Sequence, residues 1–479
     1  MRLQGVAMSQ VSDLMANQGL RRVQMRIFTA VIVVFTLCCS GSFGMEDVVS
    51  SSGPGATILM ILVLPLIWSL PLALVSSELT GMVPEAGGLY RWIRRALGEY
   101  WSFQGGWWWT LSLYVDSAVY VALALDYLQN KYGFDKPERM LIGAAIVALF
   151  TFINIRGIDL TGWALTIIEI VTMVPFVIFT YLGIKNGTGS AVHPFIPAGE
   201  SFGSAMQLGL AVMLWMYSGW ESIGTLSGEI ENPQRVIPRA LFIGLPLVVG
   251  TYLLTVIAAI MGAGAGQWGN MYTGGGGLDF VEIGKILGGN TLAYLMLISA
   301  VFSNVGLYAG YLATGARPSF QMSRDRLLPK FFGATHRSWG TPWVAILIMG
   351  LVDGVLIQFN FSTLITIDVF LLMFAYILIY MACIVLRYKD PNAERPFRVP
   401  LPNWALIAFV AFPPVAIAVI SLFINGNDWL IGGLFGIMTG PIAYLVFKSI
   451  YRGTKDEALE GAAITPEGEP TELYVQMEA

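Results

Sequence analysis

Charge is scarce in this sequence: Asp, Glu, Lys and Arg make up 12% of its 479 residues, whereas hydrophobic residues make up 56%. Soluble globular domains carry roughly 25% charged residues, so this composition excludes an ordinary soluble protein. A membrane-spanning helix needs about 20 mainly apolar residues. The sequence therefore predicts an all-α integral membrane protein with about twelve such segments. We call them spans 1 to 12, at residues 27–48, 56–80, 103–128, 140–155, 162–184, 203–226, 240–263, 290–315, 342–358, 363–386, 404–424 and 430–450.

Cysteine and histidine are also rare. The three cysteines, Cys38, Cys39 and Cys383, fall inside predicted spans, so we expect neither a disulfide framework nor a covalently linked ancillary subunit. The two histidines, His193 and His336, lie far apart in sequence, and the chain has no HExxH or GxxxxGK[ST] motif. We therefore expect no metal site, no cofactor, no ATP-driven motor and no enzyme activity. Nucleic acid is not an expected partner.

The basic residues predict the orientation in the membrane. Arg21, Arg22 and Arg26 precede an apolar run that continues directly into span 1, so no cleavable signal peptide is predicted. With a cytoplasmic N-terminus, all but five of the 27 Lys and Arg residues fall in inner segments, as the positive-inside rule requires. We expect a plasma-membrane protein with both termini in the cytoplasm. The inner segments GLYRWIRRALG and SRDRLLPKFF combine basic residues with amphipathic spacing, which is typical of interfacial helices that contact membrane lipids.

Two spans are interrupted by small residues, span 1 at SGSFG (residues 40–44) and span 6 at YSGWE (residues 217–221). Interruptions five spans apart are typical of transporters built from an inverted repeat of five helices. Unwound backbone exposes N–H groups that suit a substrate carboxylate, and carbonyls, here near Cys39 and Tyr217, that suit an ammonium group. The alternative is that the small residues serve only close helix packing. The predicted organisation is a cytoplasmic segment 1–26, a core 27–386 with halves 27–184 and 203–386, spans 11 and 12 at 404–450, and an acidic disordered tail 451–479.

Carboxylates inside the predicted spans are the candidate functional groups. Asp116 lies in the middle of span 3 and Glu221 in the break of span 6, and no Lys or Arg lies mid-span to neutralise them. A carboxylate at that depth is costly, so both are predicted to bind an ammonium group or a coupling proton. Glu169 in span 5 is a third candidate proton site. The predicted substrate site is Ser40, Gly41, Ser42, Asp116, Tyr120, Tyr217, Ser218, Gly219, Trp220 and Glu221, with Trp220 as an aromatic lid.

Other acidic and aromatic residues are given structural roles. Asp353 and Asp368 lie close to predicted span ends, where we expect solvated capping. Glu46 and Asp47 follow the first break and are expected to cap the helix that resumes there, the alternative being an outer attraction for cations. The run from Trp107 to Trp109 is predicted to belong to an interfacial belt with no substrate role.

These motifs together resemble the amino acid–polyamine–organocation superfamily over most of residues 27–400. The resemblance rests on SGSFGMEDVVSSSGP, SSELTGMVPEAGGLYRWIRRALGEYWSFQGGW, GWESIGTLSGEIENPQRVIPRAL and SRDRLLPKFF, and it is closest to polyamine-uptake and L-amino acid permeases of the plant and protist type. It implies a five-plus-five inverted repeat, or LeuT-type fold, with discontinuous helices 1 and 6, and proton-coupled uptake. The positions that match the family's site are Ser40 and Gly41 at the carboxylate-binding break, Trp220 and Glu221 at the second break, and Asp116 in helix 3.

Two positions depart from the family pattern. Tyr311 stands where plant polyamine carriers hold a glutamate, and Pro175 stands where many amino acid members carry a lysine in place of a sodium ion. The resemblance therefore implies coupling through carboxylates, with a sodium gradient left open. We expect a secondary active transporter that imports amino acids or polyamines by alternating access. The alternatives are a proton-coupled neutral amino acid permease and a transceptor that binds an amino acid and signals with little flux.

Overall fold

The computed structural model describes residues 20, 23–263, 279–359, 361–424 and 427–451. In this part the chain is almost entirely helical, and each predicted span corresponds to a helix or to a pair of half-helices. The helices are α1 Ile27–Cys38 and α2 Met45–Ser52 (span 1), α3 Pro54–Met82, α4 Leu89–Leu97, α5 Glu99–Tyr132 (span 3), α6 Lys136–Arg156, α7 Ile158–Asn186 (span 5), α8 Phe202–Met216 with the 3₁₀ helix Ser222–Glu229 (span 6), α9 Pro233–Ala263, α10 Phe280–Arg324 (span 8), α11 Trp343–Leu356, α12 Phe361–Lys389 (span 10), α13 Phe412–Ile424 and α14 Asn427–Tyr451.

Both predicted breaks are present. In span 1 the backbone between α1 and α2 has positive φ at Ser40 (47°), Gly41 (114°) and Gly44 (102°), and in span 6 at Gly219 (94°). A Cβ atom at Gly219 would lie 2.6 Å from the carbonyl oxygen of Leu37, a contact that no real side chain makes. Glycine is therefore required where the two broken spans meet. Nine of the described helices are long and apolar enough to cross a membrane, and one of them, α10, is kinked at Gly288 and Gly289.

Helix α5 is the centre of the molecule, packing against both α10 and α12. Helix α6 and residues 434–451 of α14 lie at the periphery, where most side chains are partly or fully exposed. Asp353 of α11 was expected to be solvated, and this prediction is wrong: its carboxylate is fully buried and Oδ1 accepts a hydrogen bond from Ser117 Oγ of α5 at 2.9 Å. The end of span 9 is covered because α11 packs against α5 and α10.

Helix α10 continues nine residues beyond the predicted end of span 8, and Arg317 lies in this extension. Its side chain is 1% exposed and forms two hydrogen bonds to Glu229, from Nε to Oε1 at 2.8 Å and from Nη2 to Oε2 at 3.0 Å. Arg317 lies beyond predicted span 8, near the end of α10, and so does not contradict the prediction that no Lys or Arg lies mid-span. Because Arg317 is already paired, it leaves the carboxylates of the candidate site without a cation.

The segments predicted to be cytoplasmic pack tightly. GLYRWIRRALG forms helix α4 as predicted, but Arg91 within it is buried and pairs with Asp325 at 3.1 Å. SRDRLLPKFF does not form an interfacial helix, because Leu327 and Leu328 are buried in the core next to α10 and only Lys330–Gly333 makes a 3₁₀ turn. The acidic tail after Tyr451 and most of segment 1–26 lie outside the described residues.

The buried pair of Arg317 and Glu229 predicts a stability change. Replacing Glu229 with Gln removes one charge and leaves the other buried, which costs about 3–5 kcal/mol. We expect Glu229→Gln to unfold at a clearly lower temperature in detergent, measured by the loss of monodisperse protein after heating. Glu231→Gln is the matched control because its side chain is exposed. Equal unfolding temperatures for the two variants would show that the pair is not a determinant of stability.

Candidate functional site

A small cavity lies between the two breaks. Cys39 and Phe43 line it from the first break and Met216 and Ser218 from the second, and α10 supplies Asn304 among others. Its volume is about 20 Å³, which is enough for one water molecule. The cavity therefore has no room for a larger molecule, which can bind there only if the surrounding groups move.

Three stacked aromatic rings form one wall of the cavity. The ring of Tyr120 lies between Trp215, with centroids 5.5 Å apart, and Tyr311, with centroids 5.4 Å apart and planes within 5°. Tyr120 was predicted at the site, whereas Trp215 was missed and Tyr311 was noted only as a departure from the family. Trp220, the predicted lid, is fully buried, donates from Nε1 to the carbonyl oxygen of Tyr217 at 2.8 Å, and does not line the cavity.

The carbonyl groups that end the half-helices already have hydrogen-bond donors. The hydroxyl of Tyr252 lies 3.1 Å from the carbonyl oxygens of both Cys38 and Met216, so one side chain connects the ends of α1 and α8. The carbonyl oxygen of Tyr217 accepts from Ser69 Oγ at 3.1 Å in addition to Trp220. The expectation of a free carbonyl at Tyr217 is therefore wrong, and its hydroxyl instead donates to Ile61 O at 3.0 Å.

The first break contacts a predicted proton site. Ser40 Oγ donates to Glu169 Oε1 at 2.7 Å and also lies 3.3 Å from the carbonyl oxygen of Ser303. Glu169 is 2% exposed, and its Oε2 atom has no hydrogen-bond partner among the described residues. Ser42 Oγ is 2.5 Å from Thr255 Oγ1. The structure thus brings together Ser40 and Glu169, which the sequence suggested for different roles.

Asp116 lies one side chain behind the cavity wall, whereas the side chains that bind Glu221 do not line the cavity. Asp116, 4% exposed, accepts from Trp215 Nε1 at 2.7 Å through Oδ1 and from the Tyr120 hydroxyl at 3.4 Å through Oδ2. Glu221, 1% exposed, accepts from Trp109 Nε1 at 2.8 Å and from the Tyr376 hydroxyl at 2.9 Å. Each carboxylate is held by donors that a substrate ammonium group could replace.

Trp109 corrects the prediction of a purely interfacial aromatic run. The two tryptophans before it contact the peripheral helix α14: Trp107 Nε1 donates to Thr439, and Trp108 Nε1 donates to the carbonyl oxygen of Ile437. Trp109 is buried against Glu221. The signal was the spacing of Trp109 and Asp116, seven residues apart, which places both on one face of α5.

Asp368 was also expected to be solvated, and this prediction is wrong. It is 1% exposed, and its Oδ1 atom accepts a hydrogen bond from Ser112 Oγ of α5. The spacing that could have identified it is Asp368 to Tyr376, eight residues along α12, which puts both on the face towards α5. The short distance from Asp368 to the predicted end of span 10 did not indicate exposure to solvent, because α12 packs against α5.

The carboxylate of Glu46 caps the second half of span 1, as predicted. Its Oε2 atom accepts from the N–H of Gly44 at 2.7 Å, and Oε1 accepts from the Tyr127 hydroxyl at 2.8 Å. Phe43 contacts the rings of Tyr127 and Phe280 there. Together these aromatic rings cover the cavity on the side of α2.

The family model described as amino acid permease matches residues 25–438 of this chain. The polyamine transporter PUT1 of Oryza sativa subsp. japonica is 33% identical over 81% of this chain and 72% of its own length. The polyamine transporter RMV1 of Arabidopsis thaliana is 32% identical over 88% of this chain and 85% of its own length. The serine/threonine exchanger SteT of Bacillus subtilis (strain 168) is 26% identical over 86% and 92%.

Among solved structures, MhsT in complex with L-phenylalanine is similar with a TM-score of 0.59 and 14% identity, covering 85% of this chain and 100% of that one. This similarity shows the fold, a LeuT-type architecture with discontinuous helices 1 and 6. Together with the extent of the family match, it leads to one conclusion: the chain belongs to the amino acid permease family and is a membrane transporter, not an enzyme.

Proposed function

We propose that this transporter imports amino acids, polyamines or both by alternating access, driven by the proton gradient. The observation that carries the proposal is the set of buried carboxylates around the breaks, Asp116, Glu221 and Glu169, none of which forms an ion pair among the described residues. Buried charges are costly unless a counter-charge or a proton neutralises them. The names of relatives as polyamine transporters and as a serine/threonine exchanger support an amine substrate.

An ammonium group binds at the aromatic wall. It approaches Asp116 by displacing the Trp215 and Tyr120 donors, and the aliphatic part of the substrate then lies against the stacked rings. The backbone amides of Gly41 and Ser42 in the first break take a carboxylate or polar end, since N–H groups at a resuming helix attract anions.

Transport requires the closed site to open on each side in turn. On the side of α2 the aromatic cover around Phe43 must separate. On the opposite side, Val23 N donates to Glu229 O at 2.8 Å and the pair of Arg317 and Glu229 holds α10 to the end of span 6. We place the first side outside the plasma membrane and the second side, with both chain termini, in the cytoplasm.

Glu169 is the proposed site of the coupling proton. It touches the hinge of span 1 through Ser40, and the carbonyl of Ser303 connects the same contact to α10. Protonation of Glu169 removes a buried charge. It converts the carboxylate that accepts the Ser40 hydrogen bond into a neutral carboxylic acid. Binding of the proton is thereby linked to the shape of the first break.

The first prediction tests transport itself. Purified protein in proteoliposomes with an inside-alkaline pH gradient is expected to accumulate at least one of putrescine, spermidine, arginine, leucine or alanine, measured with radiolabelled substrates. A protonophore should abolish the accumulation because it removes the gradient. Uptake restricted to leucine and alanine would favour the neutral amino acid permease, and binding without flux would favour a sensor.

A second prediction concerns Asp116 and Glu221. The double variant Asp116→Asn, Glu221→Gln should lose more than about tenfold in uptake of cationic amines, because removing a buried charge partner costs about 2–5 kcal/mol. Asp126→Asn on the same helix is the control, since Asp126 pairs with Arg139 at the helix end. Wild-type amine uptake by the double variant would sink the carboxylate hypothesis.

A third prediction separates coupling from binding. In Glu169→Gln the side chain can still accept the Ser40 hydrogen bond but cannot bind and release a proton. We expect exchange of labelled for unlabelled substrate to persist without a gradient, while accumulation driven by the pH gradient is lost. Glu138→Gln, at an exposed cap of α6, should retain both activities. Gradient-driven accumulation by Glu169→Gln would assign the coupling proton elsewhere.

A further inference from the structure

Asp368 of α12 is a buried carboxylate with an unused oxygen. Its Oδ1 atom accepts from Ser112 Oγ, whereas Oδ2 has no hydrogen-bond partner among the described residues. The side chain is 1% exposed. A carboxylate buried in this way retains the capacity to bind one more donor.

The position of Asp368 connects it to the two carboxylates of the proposed site. It interacts electrostatically with both Asp116 and Glu221. Ser112, which donates to Asp368, lies on α5 between Trp109, which donates to Glu221, and Asp116. Trp109 is three residues before Ser112 and Asp116 is four residues after it, so the three side chains lie on one face of α5. Asp116 of α5, Glu221 of the second break and Asp368 of α12 therefore form a cluster of three carboxylates along this face of α5.

The charges around this cluster do not balance within the protein. In the described part of the chain every buried arginine has an acidic partner: Arg91 pairs with Asp325, Arg317 with Glu229 and Arg387 with Glu78. The ion pairs found there do not include the carboxylates of the cluster, and no lysine is buried. Three neighbouring carboxylates repel one another unless cations or protons separate them.

The number of carboxylates discriminates between substrates. A zwitterionic amino acid brings one ammonium group and adds its own carboxylate, so it neutralises one acidic side chain at most. A linear amine with two or more ammonium groups neutralises two or three, and its methylene chain lies against aromatic and aliphatic side chains. Charge-assisted hydrogen bonds to each carboxylate then add to its affinity.

We propose that Asp368 is the third carboxylate of the substrate site and selects amines that carry at least two ammonium groups. This inference rests on the proposed function, because it assigns Asp368 to the same site. Oδ2 accepts from one ammonium group while Asp116 or Glu221 binds another. Ser112 donates to the other carboxylate oxygen, Oδ1, and so holds the side chain of Asp368 in position.

The test measures selectivity in proteoliposomes. Inhibition of labelled spermidine uptake is compared for putrescine and for n-butylamine, which have the same four-carbon chain and two or one ammonium groups. In the wild type we expect putrescine to inhibit at least about tenfold more strongly, since it gains one charge-assisted contact. In Asp368→Asn this ratio should fall clearly below the wild-type value, whereas Asp368→Glu should keep it close to that value.

Asp353→Asn is the matched control. Asp353 of α11 is equally buried and accepts a hydrogen bond from Ser117, which lies on α5 as Ser112 does. Asp353 lies at the contact between α11 and α5, away from the cluster. Its variant should keep the wild-type ratio. An unchanged ratio in Asp368→Asn, or equal loss for both inhibitors, overturns the role of Asp368. Equal inhibition by putrescine and n-butylamine in the wild type overturns it even where the Asn variant does not fold.

The outcome for the proposed function is read separately. A wild-type protein that takes up none of the amines or amino acids overturns the proposed function and this inference with it. Spermidine uptake by the wild type, together with an unchanged ratio in Asp368→Asn, overturns this inference alone.

Discussion

The hydroxyl of Tyr252 lies between the carbonyl oxygens of Cys38 and Met216, two backbone groups that the breaks leave without a partner inside their own helices. A membrane interior offers no water to backbone groups, so every interruption of a helix must be satisfied by protein. The hydroxyl of Tyr252 carries one proton, which it shares between the two carbonyl oxygens, and this contact joins the two breaks. The Tyr311 hydroxyl, which donates to Leu37 O at 2.7 Å, serves the same end of α1. Two side chains from α9 and α10 therefore hold the end of α1, and one of them also contacts the end of α8.

Charge is distributed according to the same constraint. The buried arginines lie towards the side predicted to be cytoplasmic and are neutralised there, as in the bidentate contact of Arg317 with Glu229. Among the described residues, the carboxylates nearer the middle of the spans accept from neutral donors: Trp215 for Asp116, Trp109 for Glu221 and Ser40 for Glu169. Neutral donors hold a carboxylate in place without cancelling its charge.

Aromatic residues separate Asp116 from the cavity. The stack of Tyr311, Tyr120 and Trp215 lines the cavity, and two of its members donate directly to Asp116. The cavity has room for one water molecule, and the carboxylate of Asp116 lies behind its aromatic wall. In the proposed mechanism an entering ammonium group replaces these aromatic donors, so binding and rearrangement of the wall are parts of one event.

Local sequence determined the spans, both breaks and the cap at Glu46, because apolar length, positive φ at glycine and first-turn carboxylates are properties of neighbouring residues. Asp116, Glu221 and Glu169 were identifiable for the same reason, as charges within apolar runs. Tertiary structure alone decided which groups meet them. Asp368 is buried because α12 packs against α5, Trp109 turns inward to Glu221, and Trp220 lies away from the cavity that Trp215 lines. Such contacts join residues more than 100 positions apart, as between Trp109 and Glu221, and depend on how the helices rotate about their axes when they pack, which a single sequence does not specify.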